Sequence, residues 1–272
     1  MTSAERPDAV IAAQAQAHGE GHDYDKGSPH LRHPQLRGMI QERLSGLVEA
    51  AIERTGSCRV LEIGAGHGSF TAHLVSMGAQ VTVTEASAAS ALHLERTFGG
   101  DERVSVVHDQ SGEQILDSAE TWDLAVIISV LHHIPDYVGF LDRLRHRIAP
   151  GGAIFSVQDP LYYPRRSRAA HLAGRGTYFA WRLLQGNYAR GLGTRLRRLR
   201  GVYDENQESD LVEYHVVRQG VDEQAIEELL SQEFDVEVFR YWSTQSPGLQ
   251  RLFERTSLET DFGFVASNRR AG

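Results

Sequence analysis

Between residue 57 and about residue 158, short apolar runs alternate with stretches of helical periodicity. The runs are Arg59–Ile63 (RVLEI), Gln80–Thr84 (QVTVT), Arg103–His108 (RVSVVH), Trp122–Ser129 (WDLAVIIS) and Gly152–Val157 (GAIFSV). The fourth is almost continuously apolar, as a strand covered on both faces must be. Ser69–Met77, Ser87–Phe98 and Tyr137–Ile148 lie between them with apolar positions at helical spacing. Pro150-Gly151-Gly152 reads as the turn that precedes the fifth strand. This alternation predicts a doubly wound α/β domain, with helices on both faces of a parallel sheet. Right-handed crossovers then bring the loops after the strands to one edge.

Two regions fall outside the alternation. Residues 1–56 predict a helix near Pro7–Ala17, a polar loop from Gly19 to Pro34 and a longer helix near Gln35–Arg54. Residues 159–233 hold an arginine-rich stretch, an acidic turn at Asp204–Asp210 and a helix near Asp222–Ser231. Phe234–Trp242 and Asp261–Ser267 read as two last strands, close enough in sequence to pair antiparallel. The expected sheet is therefore mixed and seven-stranded. The expected organisation is an N-terminal helical lid over 1–56, a domain over 57–272, and within it a cap inserted over 160–233.

Composition narrows the class. In 272 residues, 41% are hydrophobic and 24% charged, which suits one packed core and excludes wholesale disorder. No run of 18 apolar residues predicts a membrane span. Cys58 is the single cysteine, so neither a disulfide framework nor a thiolate zinc cluster is expected. The N-terminus lacks the layout of a signal peptide, and a cytoplasmic location is expected. The net charge of −8 argues against a nucleic-acid partner, but its distribution is uneven. Residues 161–200 contain ten arginines and no Asp or Glu, leaving 18 basic against 36 acidic residues elsewhere.

The sharpest motif is Val60-Leu61-Glu62-Ile63-Gly64-Ala65-Gly66-His67-Gly68: a strand, three glycines, then a helix. Such glycines permit a tight turn and close approach of a ligand to the backbone. The helix N-terminus that follows offers unpaired N–H groups. Glu85, 21 residues after Gly64, ends the next strand, where a carboxylate can accept both hydroxyls of a ribose. A dinucleotide fingerprint would need glycine where Ser69 stands. Glu62 would also repel a pyrophosphate, but not a cationic amino-acid moiety.

These residues resemble the class I S-adenosylmethionine-dependent methyltransferases. Val60–Gly68 is similar to the family's first motif and Glu85 to the acidic end of its second strand. His108-Asp109-Gln110 falls near the adenine position, and Trp122–Ile134 resembles the fourth strand and its loop. The resemblance implies a Rossmann-like fold and S-adenosyl-L-methionine as cofactor, with S-adenosyl-L-homocysteine as product. It implies that Gly64, Ala65, Gly66 and Gly68 shape the methionine pocket and that Glu62 lies near the ammonium. Glu85, with Ala86 beside it, would hold the ribose. Asp109 and Gln110 would flank the adenine, Asp109 bonding its exocyclic amine. Ser129 and Val130 would line the sulfonium side. In related enzymes an N-terminal segment covers the cofactor, which makes Tyr24 or His30 a contact residue.

Methyl transfer to a hydroxyl benefits from a base near neutral pH, which points to histidine. His132 and His133 follow the fourth strand; His133 is preferred slightly, and the alternative is that either ring only packs. Asp136 and Asp159 are the reserve candidates. His18, His22, His30 and His33 with Asp23 prompt a metal reading, but no pair has ligand spacing within a clear helix. Ser129–His133 contains no carboxylate, so no metal is expected. The cap carries Tyr162, Tyr163, Tyr178, Phe179, Trp181 and Tyr188, with amphipathic segments at Tyr178–Leu184 and Leu192–Leu199. An aromatic or anionic small-molecule acceptor suits it. Its arginines also read as a solvated, ion-paired face.

The expected function is methyl transfer to a small molecule, with a hydroxyl of a secondary metabolite preferred, as in bacterial natural-product tailoring enzymes. N- or C-methylation, an RNA methyltransferase using the arginines, and a cofactor-binding protein without catalysis are the alternatives. A homodimer is left open.

Overall fold

A computed structural model describes residues 28–184 and 219–270. Tyr24, His18, His22, the helix expected near Pro7–Ala17, the segment Leu192–Leu199, the turn Asp204–Asp210 and the side chains of Tyr178, Phe179, Trp181 and Tyr188 lie outside the described residues. The strands are β1 (Arg59–Ile63), β2 (Gln80–Glu85), β3 (Val104–His108), β4 (Trp122–Ile128), β5 (Ile148–Pro160), β6 (Asp235–Tyr241) and β7 (Asp261–Ser267). The α-helices are α1 (Pro29–Arg32), α2 (Pro34–Thr55), α3 (Ser69–Ser76), α4 (Ala88–Phe98), α5 (Tyr137–Arg145), α6 (Arg168–Leu184), α7 (Glu223–Leu230) and α8 (Pro247–Phe253).

The strands form one seven-stranded sheet in the order β3-β2-β1-β4-β5-β7-β6. β1 to β5 pair in parallel, and β7 runs antiparallel between β5 and β6. This is the class I methyltransferase fold that the alternation of apolar runs predicts. Side-chain alternation along the strands divides the core between two faces. Leu61, Ile63, Ile127 and Ile154 meet α5 and α7 through Leu144 and Ile226. Val60, Val83, Val126 and Phe155 meet α2, α3 and α4. In α2 the positions Ile40, Leu44 and Val48 repeat every four residues and are fully buried. At about 1.5–3 kcal/mol per such side chain, this stripe makes α2 part of the packed body.

Three boundaries differ from expectation, each for a local reason. α1 stands in the supposed polar loop because Pro29 can open a helix. Pro34 then forces His33 into an extended conformation and separates α1 from α2. β5 begins at Ile148, which pairs with Trp122. The register shift between Trp122 and Leu124 absorbs the glycine turn, and α5 consequently ends at Arg145. α8 occupies the connection between β6 and β7, for which the sequence predicts no element; Pro247 opens it. Among the described residues no helix is long and apolar enough to cross a membrane.

β1 and β4 are adjacent while their following chains cross to opposite sides of the sheet. The loops after them therefore meet at the topological switch point, where a crevice opens in sheets of this kind.

Candidate active site

The loop after β1 is shaped by left-handed backbone at Gly64 (φ 67°), Gly66 (φ 58°) and Gly68 (φ 80°). At Gly64 the reason is contact: a Cβ there would lie 2.6 Å from Cγ2 of Val130. Glycine thus lets the loops after β1 and β4 touch. Gly68 opens α3, and a Cβ there would lie 2.9 Å from Leu94 on α4. The Gly64 N–H donates to the Thr84 carbonyl at 2.9 Å, tying the turn to the end of β2.

Glu85 closes β2 with its carboxylate pointing back at this loop. Oε2 accepts from the Gly66 N–H at 2.9 Å and Oε1 from the Ser87 N–H at 3.1 Å. Each oxygen keeps acceptor capacity. Burial raises the proton affinity of Glu85, and the N–H groups of Ser87, Gly66 and Ala86 oppose it. Glu62 is 3% exposed, and its Oε2 accepts from Thr71 Oγ1 at 2.6 Å. Burial pushes Glu62 up to about 7; the Thr71 bond opposes this and the charge of Glu85 adds to it. Two buried carboxylates beside one glycine turn suit a ligand with a cationic amino-acid end and a ribose. They do not suit a pyrophosphate.

Asp109 is fully buried. Oδ1 accepts from the N–H and hydroxyl of Ser111 at 3.2 and 2.9 Å, and Oδ2 from the Ile115 N–H at 3.0 Å. These bonds shape the loop after β3, and Oδ2 keeps acceptor capacity. Gln110, next to it, is exposed at the rim.

After β4, Ser129 turns into left-handed backbone (φ 61°) and Leu131–His133 forms a single 3₁₀ turn. This turn sets the two histidines against the end of β5. Asp159 is 1% exposed, and its Oδ1 accepts from the His132 backbone N–H at 3.0 Å and from His132 Nδ1 at 2.7 Å. Its Oδ2 accepts from Ser156 Oγ at 3.2 Å. A carboxylate on Nδ1 selects the tautomer with its proton there and makes Nε2 the basic nitrogen. Of the two candidate histidines, His132 is the one paired with Asp159, and the His133 ring packs on it at 4.0 Å between centroids. Asp136 caps α5 through the Gly139 N–H at 3.0 Å. Asp159 and His132 stand 27 residues apart, so no local spacing signals the pair. Ser156 carries no signal either.

From the N-terminal side, His30 packs on Phe70 with centroids 6.1 Å apart. Burial drives its pKa down to about 3, and the nearby His132 works in the same direction. His33 is held away from the crevice, its Nε2 2.6 Å from the Thr244 carbonyl. Among the described residues no three His, Cys, Asp or Glu side chains converge as a metal site.

Beside the histidine turn lies a cavity of about 310 Å³ lined by Pro135, Asp136, Tyr137, Val138, Tyr162 and Gly220. Its walls come from the loop after β4, the first turn of α5, the segment after β5 and Gly220 ahead of α7. The Tyr137 hydroxyl accepts from the Asp222 N–H at 2.9 Å, and the Arg165 guanidinium lies 4.7 Å from the centroid of the Tyr162 ring. Arg165 also pairs with Asp222 and, at 3.1 Å, with buried Glu223. This arginine of the basic stretch is thus committed to structure.

The sheet order, the glycine turn at the switch point and the two buried carboxylates define a class I S-adenosylmethionine-dependent methyltransferase. The chain belongs to the methyltransferase domain family, whose model matches residues 32–200. The ubiquinone biosynthesis O-methyltransferase of Xylella fastidiosa strain M23 is 30% identical over 132 residues, 47% of this chain and 51% of that protein. The chain thus spans about half the length of the curated relatives it matches. Among solved structures, the N-methyltransferase NodS of Bradyrhizobium japonicum WM9 with S-adenosyl-L-homocysteine superposes at a TM-score of 0.52 and 15% identity. That match covers 98% of this chain and 100% of NodS. An O-methyltransferase family protein of Burkholderia thailandensis gives 0.55 at 12% identity, over 96% of this chain and 62% of the other. At these identities the structural matches speak for the fold.

Proposed function

We propose that the protein methylates a hydroxyl oxygen of a small, ring-bearing metabolite, with His132 as general base. The observation that carries this reading is the Asp159–His132 pair beside the glycine turn. When bound, S-adenosylmethionine supplies a methyl group activated by a positively charged sulfur. Glu62 would offset the positive charge of the amino-acid end. Glu85 would accept the ribose hydroxyls, and Gln110 would edge the adenine. Gly64, Ala65, Gly66, Gly68, Ala86, Ser129 and Val130 would line the crevice, and the segment carrying Tyr24 and His30 would cover it. Of residues 160–233, the part ahead of α7 would close the other side as a cap over the acceptor, since α7 itself packs on the sheet.

A hydroxyl is a weak nucleophile until its proton is removed. Nε2 of His132 takes that proton as the O–C bond forms. Asp159 holds the ring and stabilises the imidazolium that results. The name of the curated relatives, ubiquinone biosynthesis O-methyltransferase, supports oxygen.

The test is a panel of phenols, alcohols and matching anilines assayed with methyl-tritiated S-adenosylmethionine. Phenols should accept label in preference to anilines. His132→Ala should lower turnover by about 10²- to 10⁴-fold while S-adenosylhomocysteine affinity stays within a factor of two or so. Undiminished transfer by His132→Ala would remove the base, and a preference for anilines would remove the oxygen acceptor.

A further inference from the structure

β5 carries an irregularity next to Asp159. Its pairing with β7 shifts between Val157 and Asp159: Val157 opposes Gly263, and Asp159 opposes the very next partner, Phe262. Gln158 is the extra residue, and it takes left-handed backbone (φ 70°) although it is only 6% exposed. That conformation is unfavourable for a residue with a side chain. It persists where neighbours over-determine it.

The neighbours are polar and specific. The Gln158 N–H donates to Tyr241 Oη at 2.8 Å, and the Tyr241 hydroxyl donates back to Gln158 Oε1 at 3.3 Å. Gln158 Nε2 donates to Ser243 Oγ at 2.7 Å and to Asp261 Oδ1 at 3.3 Å. Tyr241 ends β6 and Asp261 opens β7, so both of the last two strands grip the bulge.

The bulge decides which way Asp159 points. In a regular strand Asp159 would share a face with Val157, which packs among the residues that meet α2. One extra residue reverses the alternation. Asp159 then joins Ser156 and Phe262 on the opposite face, and Leu131, beside His132, packs on that face.

We propose that Gln158 and Tyr241 are positioning residues for proton transfer: they hold the β5 bulge that aims Asp159 at Nδ1 of His132. The inference rests on reading His132 as the base, and its test separates the two. It uses the full chain, free of cofactor, with ¹⁵N-labelled histidine; long-range ¹H–¹⁵N spectra report the tautomer of each ring, and His132→Gln identifies the resonance. The wild type should hold the proton of His132 on Nδ1. Asp159→Asn should disturb this directly. Tyr241→Phe should disturb it from a distance, turning a single tautomer into a mixture, with the far-ultraviolet dichroism unchanged. Gln158→Gly, which tolerates the backbone angle, repeats the test if Tyr241→Phe does not fold. An unaltered His132 tautomer in the folded variants, with Asp159→Asn altered, would overturn the positioning role. No change in Asp159→Asn would overturn the pairing itself, and the proposal with it. With an accepted phenol, Tyr241→Phe should lower kcat about ten- to a hundred-fold at unchanged KM for S-adenosylmethionine. In a His132→Ala background that loss should vanish, and a full additive loss would count against the proposal.

Discussion

Glu62 shows how much one buried side chain controls. Its carboxyl is raised from the ordinary 4.5 to about 7, chiefly because burial penalises the charge. The folded chain thus binds this proton more tightly than the unfolded chain does. Glu62 therefore lowers stability as pH climbs from 4.5 through about 7, and a cationic ligand opposes that loss. Cofactor affinity should strengthen as pH rises through that window and level off above it. Calorimetry with S-adenosylhomocysteine should show affinity falling toward tenfold per pH unit below about 7 in the wild type and nearly flat in Glu62→Gln. A flat wild-type profile would separate Glu62 from the cofactor. At this scale the sequence is informative where function follows from position in a motif, as for Gly64, Glu62 and Glu85. It is silent where function follows from a neighbour distant in the chain. Nothing around His132 says that Asp159 will find it rather than His133. Nothing marks Asp109 as a residue that ties the loop after β3 together through Ser111 and Ile115.

Among the elements, β5 and the segment after it link the generic part of the fold to the particular one. β5 presents Asp159, and the turn beyond it places Tyr162 on the cavity and Arg165 against α7. Glu223, at the start of α7, is 1% exposed and is met by Arg165 and by Arg240. Arg165→Ala would leave a buried carboxylate short of a partner and should destabilise the fold by about 1.5–3 kcal/mol. Arg165→Lys should recover only part, because it lacks the planar fork. Urea unfolding measures both; equal stability of the alanine variant would show that the pair does not anchor α7. Strand periodicity made the order of elements readable. The bulge at Gln158 is not readable, because its cause lies in Tyr241 and Asp261 on other strands and Ser243 just after β6. α1 escaped notice because a four-residue helix between two prolines has no period to detect.

For the whole molecule, the net charge of −8 conceals ten arginines within residues 161–200. Where that stretch is described, Arg165 pairs with Asp222 and Glu223, and Arg166 donates to the Thr260 carbonyl and lies over Tyr163. These two serve the body of the protein rather than a polyanion. The fold class is legible because five strand-like apolar runs, a glycine turn and an acidic strand end follow one another in one order. The acceptor was not, because the cavity is walled by loops whose contacts depend on the assembled sheet. We propose that the crevice between β1 and β4, with Glu85 bonded to its glycine turn, is the cofactor site. Isothermal titration calorimetry with S-adenosylhomocysteine tests this placement. One molecule should bind per chain, about ten- to a hundred-fold more weakly in Glu85→Gln. Equal binding by the folded Glu85→Gln variant, or binding of NADH in its place, would contradict it.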